Sequence, residues 1–239
     1  MNRLIAFVPP KRHLIRNFMV AFNRYESSED HFTGRAYKKF ENGDVYEGDF
    51  VDGKFHGKGV LRYHDGGVYD GSFENFERQG RGTYTSPDGG RYEGEFNNSV
   101  PSGYGTLNYP DGTVYEGQIQ DGIKKGVGKI RYPDGSVYEG EFDKDLEEGQ
   151  GRLVKKTGEV CTGPFVRGKL NGLCTMCFNN ENGSFKFVGT FVDNQRHGES
   201  TLYHESGATR VCTYVNDRIV GKVVSTLPNG QVSIENVEE

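Results

Sequence analysis

Residues 46–68 read YEGDFVDGKFHGKGVLRYHDGGV, and the same frame returns four more times without a gap. Tyr46-Glu47-Gly48 recurs as Tyr69-Asp70-Gly71, Tyr92-Glu93-Gly94, Tyr115-Glu116-Gly117 and Tyr138-Glu139-Gly140, each 23 residues after the last. With the first Tyr as position zero, an aromatic residue or Ile stands at plus four: Phe50, Phe73, Phe96, Ile119, Phe142. Glycines stand at plus eleven (Gly57, Gly80, Gly103, Gly126, Gly149) and plus thirteen (Gly59, Gly82, Gly105, Gly128, Gly151). Leu61, Tyr84, Leu107, Ile130 and Leu153 stand at plus fifteen, and turns such as Pro110-Asp111-Gly112 close the unit. A fixed period of this length is the signature of a repeat array.

The frame then loosens. Cys161 takes the Tyr place, with Gly163, Phe165 and Gly172 in register. Three extra residues within 179–185 move the next unit to Phe187, Gly189, Phe191 and Gly198, and a further one runs through Arg210, Cys212, Tyr214 and Gly221. Fragments flank the array at 34–40 and 227–237, so the chain holds eight units plus fragments.

Each unit reads as two short strands, in the first unit near Val45–Phe50 and Gly59–Tyr63. Side chains alternate along a strand. Tyr46, Gly48 and Phe50 therefore share a face, as do Gly57, Gly59, Leu61 and Tyr63. The opposite face is charged, and Glu47 is expected to pair with Lys58 or Arg62. Glycine weakens a strand unless something approaches closely, which predicts flat rings lying over the missing side chains. Asp-Gly turns supply the positive φ of tight hairpins. Stacked hairpins at a strand spacing near 4.8 Å advance roughly 10 Å per unit.

The pattern YEGxFxxGxxxGxGxLxYPDGxx, carried in the first unit by Gly48, Phe50, Gly57, Gly59, Leu61, Tyr63 and Gly66, resembles the MORN repeat family. The resemblance covers about 34–237. It implies an all-β chain: an elongated single-layer antiparallel sheet of tandem β-hairpins, here with a short N-terminal helix. The expected organisation is an extension over residues 1–30 and a repeat array over 31–239.

Residues 1–25 hold Arg3, Lys11, Arg12, Arg16 and Arg24 and no acidic residue. Leu14, Ile15, Phe18, Ala21, Phe22 and Tyr25 fall at helical spacing. Four readings stay open: a helix capping the first hairpin, a partner-docking segment, a basic helix on an anionic membrane, and a mitochondrial targeting sequence. Arg12, Leu14, Ile15, Arg16, Phe18 and Phe22 would carry the docking or membrane contact.

Composition narrows the classes. The chain has 35 glycines, 33% hydrophobic and 13% aromatic residues, and no Trp, which suits a thin, turn-rich β structure rather than a thick core or a disordered chain. A net charge of −5 carries no basic excess for nucleic acid. The longest apolar runs, Leu4–Val8 and Phe18–Phe22, are too short to span a membrane. Cys161, Cys174, Cys177 and Cys212 are expected to be reduced thiols of a cytoplasmic or nuclear protein.

No chemistry-bearing constellation emerges. Cys174 and Cys177 form a C-x-x-C pair, but residues three apart on a strand face opposite sides, so no metal site is expected. His56 and His197 are read as solvated loop residues. Glu93 and Glu116 recur at one repeat position and form a solvated stripe. No cofactor is expected.

The expectation is therefore a non-catalytic scaffold or adaptor. It would bind a helix or extended peptide of a partner protein on its aromatic–glycine face, within a cytoskeletal or ciliary assembly. Tyr46, Phe50, Tyr69, Phe73, Tyr92, Phe96, Tyr115, Tyr138 and Phe142 are the candidate contact residues, with the alternative that these rings only join neighbouring hairpins. Two other readings are a peripheral membrane protein binding phosphoinositides and a structural subunit of a mitochondrial complex. Self-association through a free sheet edge is a further possibility.

Overall fold

The computed structural model describes residues 31–237; the expected N-terminal helix, with Arg12, Leu14, Ile15, Arg16, Phe18 and Phe22, lies outside the described residues. Those described form strands and turns only, with no helix among them. The chain divides between Pro133 and Asp134 into two compact units.

The first unit carries β1 (Gly34–Lys39), β2 (Val45–Val51), β3 (Lys54–Arg62), β4 (Val68–Glu74), β5 (Glu77–Thr85), β6 (Arg91–Asn97), β7 (Val100–Asn108), β8 (Val114–Gln120) and β9 (Ile123–Arg131). Each strand pairs antiparallel with the next. Two kinds of turn alternate. Asp52 and Gly53, at φ 49° and 73°, form a two-residue loop of the left-handed kind whose twist matches the strands it joins. The second turn spans five residues. Tyr63 N donates to Gly67 O at 2.8 Å, Gly66 turns back to Tyr63 O, and Asp65 Oδ1 accepts from Gly67 N at 2.9 Å. Tyr109–Thr113 repeats it, with Asp111 Oδ1 accepting from Thr113 N at 2.8 Å. Asp side chains mimic a backbone turn in this way.

The two-residue loop moves a boundary. The second strand of the first unit begins at Lys54 rather than near Gly59, and His56 lies on it opposite Asp49, not in a loop. Gly48 pairs with Gly59 and Asp49 with His56, so Gly57 and Lys58 bulge out of this ladder. Gly57 sits at φ 57°. Asp49 Oδ2 accepts the Lys58 amide at 3.1 Å, and Gln118 Oε1 does the same for Val127 at 3.0 Å. A bulge bends its strand and re-aims side chains, which curls each hairpin around its own rings. The expected pairing of Glu47 with Lys58 or Arg62 gives way to another contact: Glu47 faces Val60, and Lys58 Nζ reaches Ser72 Oγ at 2.8 Å.

The core is built one ring at a time. Gly71 and Gly82 face each other across β4 and β5. A Cβ added at Gly71 would lie 2.6 Å from Tyr69 Cζ and 2.7 Å from Gly82 Cα. The ring therefore rests on bare backbone, and its hydroxyl donates to Ser72 O at 3.0 Å. The same bond runs from Tyr46 to Asp49 O (2.9 Å), Tyr92 to Glu95 O (2.8 Å) and Tyr115 to Gln118 O (2.7 Å). The plus-four ring stands edge-on to the Tyr of its own repeat and to that of the repeat before: Phe73 lies 5.0 Å from Tyr69 and 5.1 Å from Tyr46. Neighbouring repeats are also joined by backbone, Ser99 N to Arg78 O at 2.8 Å and Gly122 N to Pro101 O at 2.9 Å.

The second unit carries β10 (Val137–Asp143), β11 (Leu146–Val154), β12 (Val160–Val166), β13 (Lys169–Leu170), β14 (Gly172–Asn180), β15 (Gly183–Val192), β16 (Gln195–His204), β17 (Thr209–Val215), β18 (Arg218–Thr226) and β19 (Val232–Val237). It is antiparallel in the same way. Tyr138 sits over Gly140 and Gly151 and donates to Glu141 O at 2.9 Å. Beyond it the ring and its glycines change together. Where Cys161 replaces the ring, Cys174 replaces the plus-thirteen Gly, and its Sγ would meet a Cβ at Gly163 at 2.6 Å. Phe187 is matched by Ser200, and Arg210 by Cys212 and Val223, both of them buried. The extra residues at 179–185 lengthen the β14–β15 hairpin to a tight turn at Asn180–Gly183, with the Phe178 and Phe185 rings stacked at 5.3 Å.

This geometry sets two expected outcomes. Gly105→Cys pushes a side chain into the Tyr92 seat and should cost about 1–3 kcal/mol of stability, as overpacking does. On a Tyr92→Cys background the same change should cost at least about 1 kcal/mol less, a coupling that urea denaturation of the four variants measures. Burial also pushes the hydroxyls of Tyr46, Tyr69, Tyr92 and Tyr138 well above their ordinary value of 10. The unfolded chain then loses these protons first, so stability is full below pH 10 and falls above it. Urea midpoints between about pH 8 and 11.5 should be flat and then drop, and Tyr138→Phe should shallow the drop while lowering the neutral plateau by about 1 kcal/mol.

Candidate functional site

The nine rings chosen from the sequence as contact residues are interior. Tyr46, Tyr69, Tyr92 and Tyr115 are fully enclosed, and Phe50, Phe73, Phe96, Tyr138 and Phe142 are at most 4% exposed. In the folded chain they pack against one another and on the glycine backbone of their hairpins. Sequence alone does not reveal the cover, because it comes from the plus-nine residue and from the neighbouring repeat.

The plus-nine position closes the tyrosine seat. Phe55 lies parallel to Tyr46 at 3.8 Å. Arg78, 1% exposed, holds its guanidinium 5.5 Å from Tyr69, 5.4 Å from Tyr84 and 5.1 Å from Phe96, and its Nη2 donates to Ser99 O at 2.7 Å. Lys124 Nζ lies 5.6 Å from the Tyr115 ring centre and 5.7 Å from that of Tyr109. In the second unit Glu147 and Leu170 are buried at this position, and Arg196 sits 4.4 Å over Tyr214. Each cation over a ring contributes about 1–2 kcal/mol where water is excluded. Apolar, cationic and anionic side chains thus do one job, and a search for a recurring residue type passes over it.

The plus-twelve position is displayed instead. Lys58, Arg81, Tyr104 and Val127 in the first unit, and Gln150, Leu173 and Glu199 in the second, project from the bulge to solvent. Tyr104, Val127 and Leu173 are 62%, 60% and 67% exposed. Their backbone stays in the ladder with the next strand, as in Tyr104↔Gln118 and Leu173↔Thr190, and the amides of Val127 and Gln150 are also held by Gln118 Oε1 and Glu141 Oε1, each at 3.0 Å. Tyr104 and Val127 stand on β7 and β9, two strands apart and so about 10 Å from each other.

The remaining polar clusters are structural. Asp44, almost wholly buried, accepts the His64 amide at 2.8 Å and Asn42 Nδ2 at 2.9 Å, and its Oδ1 lies 3.1 Å from His64 Nδ1. The carboxylate thereby ties the Phe40–Asp44 turn to the next one. Cys174 points inward and Cys177 outward, as their spacing on β14 requires. No group of three or more metal-ligating side chains occurs among the described residues. His197 is exposed on β16 rather than in a loop.

Burial pushes the Cys161 and Cys174 thiols up to about 11. The thiolate is the reactive form. Iodoacetamide at pH 8 should therefore alkylate Cys177 quickly and leave Cys161, Cys174 and Cys212 intact until the chain is unfolded, an order that mass spectrometry reads directly.

Comparison with known proteins identifies the repeat. The MORN repeat family model matches residues 46–68, 69–91, 92–114, 115–137, 138–160, 161–183 and 187–209. No curated protein matches the chain. Solved structures similar to it include a catalytically inactive virginiamycin B lyase from Staphylococcus aureus with quinupristin. It shares 10% identity at a TM-score of 0.18, over 89% of this chain and 98% of that one. A streptogramin B lyase shares 11% at 0.18, over 89% of this chain and 86% of that one. Likeness at that TM-score carries no argument about fold or activity. Seven consecutive matched repeats cover well over half of the sequence, so the chain belongs to the MORN repeat family.

Proposed function

We propose that this chain is a non-catalytic scaffold that holds a partner protein against the displayed plus-twelve column. The observation that carries the reading is the contrast between two positions of one repeat. The tyrosine seat is nearly invariant through five repeats and buried, while plus twelve varies in every repeat and is exposed on pinned backbone. A surface of that kind presents chemically distinct side chains at fixed spacing, which is how a repeat array recognises an extended partner. Tyr104 and Val127, in successive repeats of the first unit, are the apolar anchors, since large exposed apolar side chains among polar ones favour protein contact. The aromatic–glycine face acts indirectly, by fixing the bulge that turns each plus-twelve side chain outward. The partner we propose is a component of a cytoskeletal or ciliary assembly.

A photo-crosslinking residue at 104 or 127, introduced in cells, tests this. A discrete set of protein adducts is expected from these positions and none from position 89, in an exposed turn. Adducts from position 89 alone would overturn the assignment of the column. Flotation of the purified chain with anionic vesicles at low salt, where screening is weakest, would move the assignment to a lipid surface.

A further inference from the structure

The described array begins and ends in the middle of a repeat. β1 pairs with β2 as Gly34↔Phe50, Ala36↔Gly48 and Lys38↔Tyr46. That is the register in which β3 meets β4, Gly57↔Phe73, Gly59↔Gly71 and Leu61↔Tyr69. β1 is therefore the second strand of a hairpin, with Gly34 at plus eleven and Tyr37 at plus fourteen. β19 meets β18 as Gly221↔Val237 and Val224↔Ile234, which makes it the first strand of a hairpin, with Ser233 at position zero and Ile234 at plus one. Among the described residues β1 pairs only with β2, and β19 only with β18.

We infer that β19 of one copy and β1 of a second copy pair antiparallel and complete one hairpin repeat between them. Inside a repeat, position zero faces plus fifteen and plus one faces plus fourteen, as in Tyr46↔Leu61 and Glu47↔Val60. Across the junction this register sets Ser233 opposite Lys38 and Ile234 opposite Tyr37. Ile234 and Tyr37 are 58% and 65% exposed, and the pairing covers both with each other. Charge favours the same arrangement: β1 carries Arg35, Lys38 and Lys39 and no acid, while residues 232–239 carry Glu235, Glu238 and Glu239 and no base. Glu235 falls opposite Ala36 and diagonal to Lys38, within reach of a cross-strand pair. Unpaired edges template pairing with another chain. Because the two edges differ, the contact is head-to-tail and leaves a fresh edge at each end, so it propagates rather than closing at a dimer. The inference does not rest on the partner-binding reading above.

Sedimentation velocity of the full chain, with a reductant to keep Cys177 out of disulfides, tests it from micromolar to hundreds of micromolar. Species beyond the dimer should grow with concentration. Tyr37→Lys and Ile234→Lys, both at exposed edge positions and each checked for an unchanged circular dichroism spectrum, should sediment as monomers. Mixed in equal amounts they retain one good edge each and should stop at a heterodimer, the other junction placing Lys against Lys. A wild-type chain that stays monomeric throughout overturns the inference. So does either variant associating like wild type, which would mark a contact elsewhere.

Discussion

The structure depends on a phenol ring lying flat on two glycines. The ring needs bare backbone beneath it on both strands of the hairpin, and a Cβ at either site would drive into it, as the 2.6 Å approach to Tyr69 Cζ at Gly71 makes plain. Once seated, the ring aims its hydroxyl at the plus-three carbonyl beside the bulge, as in Tyr92 to Glu95 O. That bond satisfies a polar group the ladder leaves free where its register shifts. Ring, glycines and bulge are thus one device. The second unit bears this out at the positions where the device is dismantled. The ring does not disappear alone: Cys161 comes with Cys174, and Arg210 with Cys212 and Val223.

A sheet with one apolar face ordinarily needs a second layer to cover it. This array covers itself within each repeat. The bulge at plus eleven and plus twelve bends the strand, the plus-nine side chain folds over the ring, and the next plus-four ring closes the side. Residues at one repeat position then share a task without sharing chemistry. Arg78 is tolerated in the interior because three rings face its guanidinium and Ser99 O accepts its proton, so the charge is desolvated against partners rather than against hydrocarbon alone. Phe76 shows the same economy in the backbone. It holds φ 71° in a tight turn, a conformation that costs a bulky residue on the order of 1 kcal/mol, and packs its ring 5.0 Å from Phe55.

The same bulge connects framework to surface. It turns the plus-twelve side chain outward, and at Lys58, Val127 and Gln150 the plus-three side chain, Asp49, Gln118 or Glu141, also holds the amide. Rigid display lowers the entropy a partner must overcome on binding, and the displayed residue can vary without touching the core.

The spacing of 23 and the pairing of aromatic with glycine positions determined the element type, the antiparallel hairpins and the ring seats, because both signals are local: two strands and the turns that join them. The Asp-Gly turns were legible for the same reason, since one residue type meets one backbone requirement. Three things were decided only in the folded chain. The two-residue turns at plus six and seven hold Asn75-Phe76 and Lys144-Asp145 as well as Asp52-Gly53, so no residue type announces them, and the second strand gains residues accordingly. The plus-nine cover is Phe, Arg, Pro, Lys, Glu or Leu in turn, a position defined by where it lies rather than by what it is. And whether the nine rings face solvent or one another depended on that cover and on the adjacent repeat, which is a property of packing that no single stretch of sequence contains.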